Sequence, residues 1–232
     1  QVIGIINGTT NYMLTRMSEE GLNFGEALAQ AQSLGYAEAD PTADVEGYDA
    51  ARKLAILASI AFNTRVPLDQ VYLEGITRVT AEDIKYAAEL NYVVKLLGIA
   101  KESEEGVEVR VHPALLSKNH PLATVNDVYN AIYVCGDAVG DVMFFGRGAG
   151  ELPTASAVVA DVMSAARYQL RNVPGIISCT CFDEKPIKPM GLTSTKYYIR
   201  LNVADKPGVL ASIAFVFGSN EVSLASVIQK QT

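Results

Sequence analysis

The sequence has little of what marks several protein classes. Three cysteines, Cys135, Cys179 and Cys181, occur in 232 residues. Their odd number and lack of a framework exclude a disulfide-stapled secreted scaffold. Cys179 and Cys181 are two apart, which puts them on one face of a strand and is not metal-ligand spacing. The three read as reduced thiols of a cytoplasmic protein. No cluster of Lys and Arg occurs and the net charge is −7, so the electrostatic footprint of nucleic-acid binding is missing. No apolar run reaches the ~18 residues needed to span a bilayer. No signal peptide opens the chain, and no low-complexity tract interrupts it. His112 and His120 each precede a proline and show no ligand spacing to a cysteine, so they read as structural or surface residues and no metal site is expected.

Hydrophobic residues make up 49% and charged residues 19%, enough apolar material for one large domain, or a domain with a smaller companion. Val2–Ile6 reads as a buried strand. Asn7-Gly8 turns the chain, and Thr9 or Thr10 is expected to cap a helix to about Met17. Asn23 and Glu26 have the spacing of a capping box, and Gly35 sits where a left-handed glycine ends a helix. A helix from about Ala50 to Phe62 is apolar on most sides and is expected to be deeply buried. Strands are expected at Val71–Thr77, Tyr92–Ala100, Val107–His112, Asn130–Val134 and Val142–Phe145, with a Thr80-capped helix after the first. Such runs favour α+β architecture, a mainly antiparallel sheet covered by helices. Gly146 to Gly150 form a glycine-rich loop before a helix at Thr154–Tyr168. Residues 172–195 contain Pro174, Pro186 and Pro189 and read as a linker with one short strand around Ile176–Phe182. Strand Tyr197–Val203, a turn at Asp205–Gly208, helix Val209–Phe217 and strand Val222–Ile228 then form a β-α-β unit. The first strand begins almost at residue 1 and the last unit is marginal alone, so both ends look cut from a longer protein.

The densest chemistry lies between Leu34 and Lys53. Five carboxylates, Glu38, Asp40, Asp44, Glu46 and Asp49, fall within 12 residues. Like charges in one loop repel unless a cation or a cationic substrate neutralises them. Asp49 and Lys53 are four apart at a helix start, so they share a face and can meet. Asp49 also complements the helix dipole. A lysine beside an apolar helix suits a proton donor or acceptor. Spacing alone equally allows an ordinary surface ion pair. The loop lacks the ligand order of an EF-hand.

Ala31–Gly35 with Asp40-Pro41, Asp44-Val45, Gly47, Asp49 and Lys53 resembles, without a gap, the signature of the homoserine dehydrogenase family. The segments Ile5–Tyr12, Val109–Pro113, His120–Ala123, Asp137–Gly140, Gly148–Gly150 and Leu152–Ala157 are also similar to that family. The resemblance covers roughly residues 2–170. It implies interconversion of L-homoserine and L-aspartate 4-semialdehyde with NAD or NADP, in the biosynthesis of threonine, methionine and isoleucine. It implies that Lys53 is the general acid/base, that Glu38 and Asp49 hold the substrate, chiefly its ammonium group, and that Asp44 orders the same network. Gly35, Gly148 and Ala149 would approach the nicotinamide end of the cofactor. A homodimer is implied as well.

Asp205–Leu210 resembles the first strand-to-helix turn of an ACT domain, a βαββαβ amino-acid sensor, of which about half would be present. The resulting organisation is a catalytic and dimerisation domain at 1–171, a linker at 172–195 and an ACT-like half-domain at 196–232. No GxGxxG fingerprint occurs in the sequence, so the chain alone is expected to be inactive. The alternative is a non-catalytic dimerising fragment that senses an amino acid, with threonine the effector the resemblance implies.

Overall fold

The structure, a computed structural model, describes residues 1–175 and 181–230. Six strands form one sheet in the order β2-β4-β3-β1-β5-β6. They are β1 (Val2–Ile5), β2 (Tyr72–Leu73), β3 (Tyr92–Ser103), β4 (Gly106–Ser117), β5 (Tyr129–Gly136) and β6 (Gly140–Arg147). Short β1 lies antiparallel between β3 and β5, with Ile3 opposite both Ile99 and Tyr133. β3 with β4 and β5 with β6 are antiparallel neighbours, whereas β2 runs parallel to β4. The α+β expectation therefore holds, with a mixed sheet. The expected strand at Val71–Thr77 shrinks to Tyr72–Leu73. At Gly75 the chain leaves the sheet, and Ile76 donates its N–H to Val45 O (2.8 Å) instead of to a strand.

The sheet's faces are covered differently. On one, Val94, Leu96, Ala100, Val107, Val109 and Val111 pack in a single core with residues of four helices. These are α1 (Gly8–Glu19), α2 (Phe24–Ser33), α4 (Tyr48–Phe62) and α5 (Ala81–Glu89), with the single turn α3 (Thr42–Val45) between α2 and α4. Met13 and Leu54 are fully buried there. Each such side chain contributes about 1.5–3 kcal/mol of transfer free energy. On the other face Ile5, Leu97, Ile99 and Ala131 are covered by Leu122 and Val125, around a short 3-10 turn at Pro121–Thr124. The expected deep burial of α4 is corrected. Ala51, Leu54, Ala55, Ala58 and Phe62 face the core, while Ile56 and Ile60 are 62% and 53% exposed. Apolar composition marks residues that can be buried, but here only one stripe meets the sheet.

Most caps follow local chemistry. Asn23 and Glu26 form the expected box at α2, and Thr80 and Asp83 form another at α5. Gly35, at φ 75°, ends α2, with Tyr36 N–H bonded to Ala31 O at 2.9 Å. That is the 6→1 bond of a Schellman turn. The cap of α1 is corrected from Thr9 or Thr10 to Asn7, whose side chain accepts the Thr10 N–H.

Helix α6 (Glu151–Leu170) follows the glycine-rich loop, with Pro153 in its first turn and no buried residue. The strand expected around Ile176–Phe182, and Cys179 with it, lies largely outside the described residues; Cys181 is exposed. Farther on, Asp183 bridges Thr64 and Ile187 bridges Val107, both in parallel sense. Lys185 pairs with Glu102 at 2.6 Å and Lys188 with Glu105 at 2.7 Å. At Val107 this stretch covers the outer edge of β4 beside the two residues that β2 pairs, closing a part of the edge otherwise open to another chain.

The chain divides into two compact units, Gln1–Thr195 and Lys196–Thr232. In the second, α7 (Val209–Ser219) follows Gly208, which has φ 89°. Neither Tyr197–Val203 nor Val222–Ile228 is built into a strand among the described residues, against expectation. Alternation prepares a run for a sheet, but a strand forms only with a neighbour to pair with.

Candidate active site

The site grows from the junction of β1 and α1. Asn7 is buried at 6% exposure, and its side chain is used at both ends. Oδ1 accepts from Thr10 N (2.9 Å) and Thr10 Oγ1 (2.8 Å). Nδ2 is thereby turned outward and donates to Asp44 Oδ1 (2.7 Å) and Asp49 Oδ2 (2.9 Å). Gly47, at φ 83°, makes the corner between α3 and α4 that brings these carboxylates together. Asp49 lies in the first turn of α4, where the helix dipole favours its charge. Lys53, one turn on, donates from Nζ to Asp49 Oδ2 (2.7 Å) and Ile6 O (3.1 Å). The side chains of Lys53 and Asp49 are 48% and 30% exposed, so their pairing contributes little stability. What it fixes is position: a cation beside two carboxylates, open to solvent.

Gly75 supports that corner from behind. A Cβ there would run into Val45 O and, at 2.5 Å, into Glu46 Cα, both backbone atoms. Gly75→Ala is expected to cost about 1–3 kcal/mol or more by overpacking. Chemical denaturation of the variant is the check. A loss below about 0.5 kcal/mol, the usual surface effect, would mean that the corner yields freely.

The other acidic residues are placed differently. The Asp40 carboxylate accepts from Thr42 N (3.1 Å), and the hydrogen bonds from Thr42 hold it below the usual carboxylate range. Glu46 is half-buried. Glu38 is exposed; its backbone carbonyl accepts from Gln32 Nε2 at 3.0 Å. Among the described residues no hydrogen bond or ion pair joins the Glu38 side chain to Asp44, Asp49 or Lys53. Asp44, Asp49 and Lys53 are thus brought together, and Glu38 stands apart.

Gly35 is exposed, with open space where a Cβ would point. The next residue ties this turn to α1, because Thr9 Oγ1 donates to Tyr36 O at 2.6 Å. A Cβ on Gly148 would meet the end of the Asn130 side chain, which would have to shift to admit it. Asn130 also lies behind Gly8, its Oδ1 3.5 Å from where a Gly8 Cβ would be. Gly148 and the start of α1 therefore pack on the same asparagine, and Ala149 follows on the exposed loop. Asn130 Oδ1 is buried and has no hydrogen-bond partner among the described residues.

One turn along α1 lies a second polar cluster. Lys95, 3% exposed, donates to Asn11 Oδ1 (3.0 Å), Val125 O (2.6 Å) and Asn126 Oδ1 (2.9 Å). Burial lowers its pKa to about 8. Asn11 Nδ2 reaches the carbonyls of Val125, Asp127 and Tyr129 at 2.9–3.1 Å. Where β1 stops, Asn11 links β3 to β5 and anchors α1. The histidines belong to the fold. His112 Nδ1 lies 2.9 Å from Pro113 O, and His120 Nδ1 accepts from Leu122 N at 3.1 Å.

Asn7, Thr9, Asn11, Lys95 and Asn130 are not among the site residues expected from sequence, where Asn7 and Thr9 read only as turn and cap positions. Only Asn7 carried a local sign, a polar residue between a strand and a helix.

The profile of the homoserine dehydrogenase family matches residues 1–163. Homoserine dehydrogenase of Mycobacterium tuberculosis is 52% identical over 235 residues, covering 99% of this chain and 53% of the relative. That of Synechocystis is 49% identical over 237 residues, covering 98% and 55%. The crystal structure of a homoserine dehydrogenase from Thiobacillus denitrificans superposes with a TM-score of 0.90 at 42% identity, over 99% of this chain and 54% of that one. A hyperthermophilic archaeal homoserine dehydrogenase mutant in complex with NADPH gives a TM-score of 0.60 at 31% identity, over 76% and 49%. The chain spans about half the length of the curated relatives it matches.

Proposed function

Since the chain belongs to the homoserine dehydrogenase family, we propose that it carries the substrate-binding and acid/base half of a cytoplasmic, NAD- or NADP-dependent enzyme interconverting L-homoserine and L-aspartate 4-semialdehyde. The observation that carries this reading is the Asp44–Asn7–Asp49–Lys53 constellation. Two carboxylates side by side suit an ammonium group, which only the amino-acid end of the substrate offers. Asp49 takes that group, with Glu38, on the exposed turn after Gly35, as the second carboxylate that the family resemblance implies. Asp44 orders the pair. As the neutral amine, Lys53 Nζ accepts the proton of the C4 hydroxyl when homoserine is oxidised, and as the ammonium it returns that proton to the carbonyl oxygen in reduction. The nicotinamide, when bound, takes or gives the hydride. Gly35, Gly148 and Ala149 fit its approach as exposed backbone beside the start of α1, and the unpartnered Asn130 Oδ1 fits a nearby donor. They would hold only that end, since the sequence has no GxGxxG fingerprint. Among the described residues no helix is long and apolar enough to cross a membrane.

Residues 1–171 would form the catalytic and dimerisation domain, 172–195 a connecting segment, and 196–232 an ACT-like half-domain. Exposed Met143 and Phe145 on β6 support a homodimer; a monomeric mass at micromolar concentration would count against it. Gly208 with α7 supports the ACT-like reading, with threonine as effector. Heat on titrating threonine, lost on deleting residues 196–232, is its test; if catalysis were absent as well, the sensing reading would stand alone.

The function itself is tested by following reduced nicotinamide while L-homoserine is added with NAD+ or NADP+. Turnover is expected from the complete protein and none from the 232-residue chain. No turnover by the complete protein with either cofactor would overturn the assignment.

A further inference from the structure

We propose that Asn7 is the positioning residue that holds Asp49, the carboxylate that takes the substrate ammonium, in register with Asp44, which orders it; this rests on the function proposed above. Three observations converge on it. First, the amide orientation is forced. Thr10 N–H needs an acceptor, so Oδ1 faces α1 and Nδ2 faces the carboxylates. Second, both Nδ2 protons are used, one for each carboxylate, at 2.7 and 2.9 Å. Third, the bonds leave one oxygen of each carboxylate, Asp44 Oδ2 and Asp49 Oδ1, without a hydrogen bond among the described residues, while Asp49 Oδ2 also receives Lys53 Nζ at 2.7 Å. Two like charges held this close would splay apart without a shared donor. A neutral amide supplies that donor without neutralising either charge, and Asp49 Oδ1 is left to the substrate ammonium while Oδ2 carries Lys53. Asn7 is also almost fully buried and fixed by its capping role, so the pair is referenced to the rigid start of α1.

The test is made in the complete protein with Asn7→Ser and Asn7→Asp. Both side chains keep an acceptor that can cap α1, and both lose the two-proton donor. For Asn7→Ser, KM for L-homoserine is expected to rise about 10–100-fold, the range of a lost hydrogen bond to a charged group. KM for the nicotinamide cofactor should stay within about twofold. Asn7→Asp decides between position and charge. Positioning predicts a rise in homoserine KM at least as large as that of Asn7→Ser, whereas a site working through negative charge alone would bind the ammonium more tightly with a third carboxylate. A purely structural role would raise both KM values or lower the melting temperature without separating them. Homoserine KM unchanged in Asn7→Ser, or lowered in Asn7→Asp, would overturn the proposal. Absence of homoserine turnover by the wild-type protein would overturn the functional reading and the role of Asn7 with it, so the two failures are told apart by the wild-type control.

Discussion

Lys53→Ala in the complete protein is expected to lower kcat for homoserine oxidation by about 10²–10⁴-fold, the usual contribution of a positioned proton-transfer group. The argument starts from the local geometry. Lys53 is the cation of a pair whose carboxylate oxygen, Asp49 Oδ2, also accepts from Asn7, and its Nζ is additionally held by Ile6 O. The ammonium is therefore fixed in position while half its side chain stays accessible. Lys53→Arg separates chemistry from architecture. A guanidinium keeps the positive charge and can still meet Asp49, but it does not give up a proton. If Lys53 moves a proton, Arg is nearly as damaging as Ala. If it only neutralises Asp49, Arg restores most of the rate. Turnover within about threefold of wild type in Lys53→Ala would remove the acid/base role altogether. The fold should survive either change, because an ion pair this exposed contributes little stability.

The second large effect concerns pH and Lys95. In the folded protein burial holds this amine at a pKa of about 8, against an ordinary value of 10.5. Between those values the unfolded chain binds a proton that the folded chain does not. Stability should therefore rise with pH through that window, and the protonated amine should weigh against folding below pH 8. At about 1.36 kcal/mol per pH unit, the gain is on the order of 3 kcal/mol. Chemical denaturation of wild type and Lys95→Met, compared point by point from pH 7.5 to 10.5, isolates it from the titration of tyrosines and other lysines. Wild type should gain on the variant as pH rises. A flat difference, or one of opposite sign, would contradict the buried-charge account. At neutral pH the two effects of the substitution oppose each other. It removes a desolvated charge, and it strands Asn11 Oδ1 and Asn126 Oδ1, each at about 1–3 kcal/mol, while Val125 O keeps the Asn11 Nδ2 donor. The pH slope is consequently more informative than any single value.

Much of this molecule was legible where the physics is local. The alternation at Val107, Val109 and Val111 marked a strand with one buried face, and that face meets the helices. The capping box at Asn23 and Glu26, the left-handed Gly35, and the four-residue step from Asp49 to Lys53 all form as their spacing suggests. What was not legible acts across distance. Asn7 meets its carboxylates 37 and 42 residues away, and Lys95 meets Asn11 across 84. No periodicity encodes such partners. The same limit explains the errors. Ile56 and Ile60 are as apolar as Leu54, but only the tertiary arrangement decides which of them meets the sheet. Tyr197–Val203 alternates as cleanly as a paired strand, yet pairing depends on a neighbour elsewhere in the chain.

The stretch at 183–188 along β4 has a consequence for how the protein is made. Val107 and Ile187 bridge across roughly 80 residues of chain, which at about 5–20 residues per second of synthesis is about 4–16 s. For that interval β4 has emerged and can pair with β3, while the N–H and C=O of Val107 still await the Pro186 and Lys188 backbones. The nascent chain thus carries an unsealed strand edge past the ribosome exit, at the point where a neighbouring copy on the same polysome could add a strand. Ion pairs from Lys185 and Lys188 to Glu102, Glu105 and Glu108 surround this closure. Glu108 already has Arg110 beside it on β4 at 2.6 Å, but until the lysines arrive Glu102 and Glu105 leave the waiting edge negatively charged, and identical nascent edges repel.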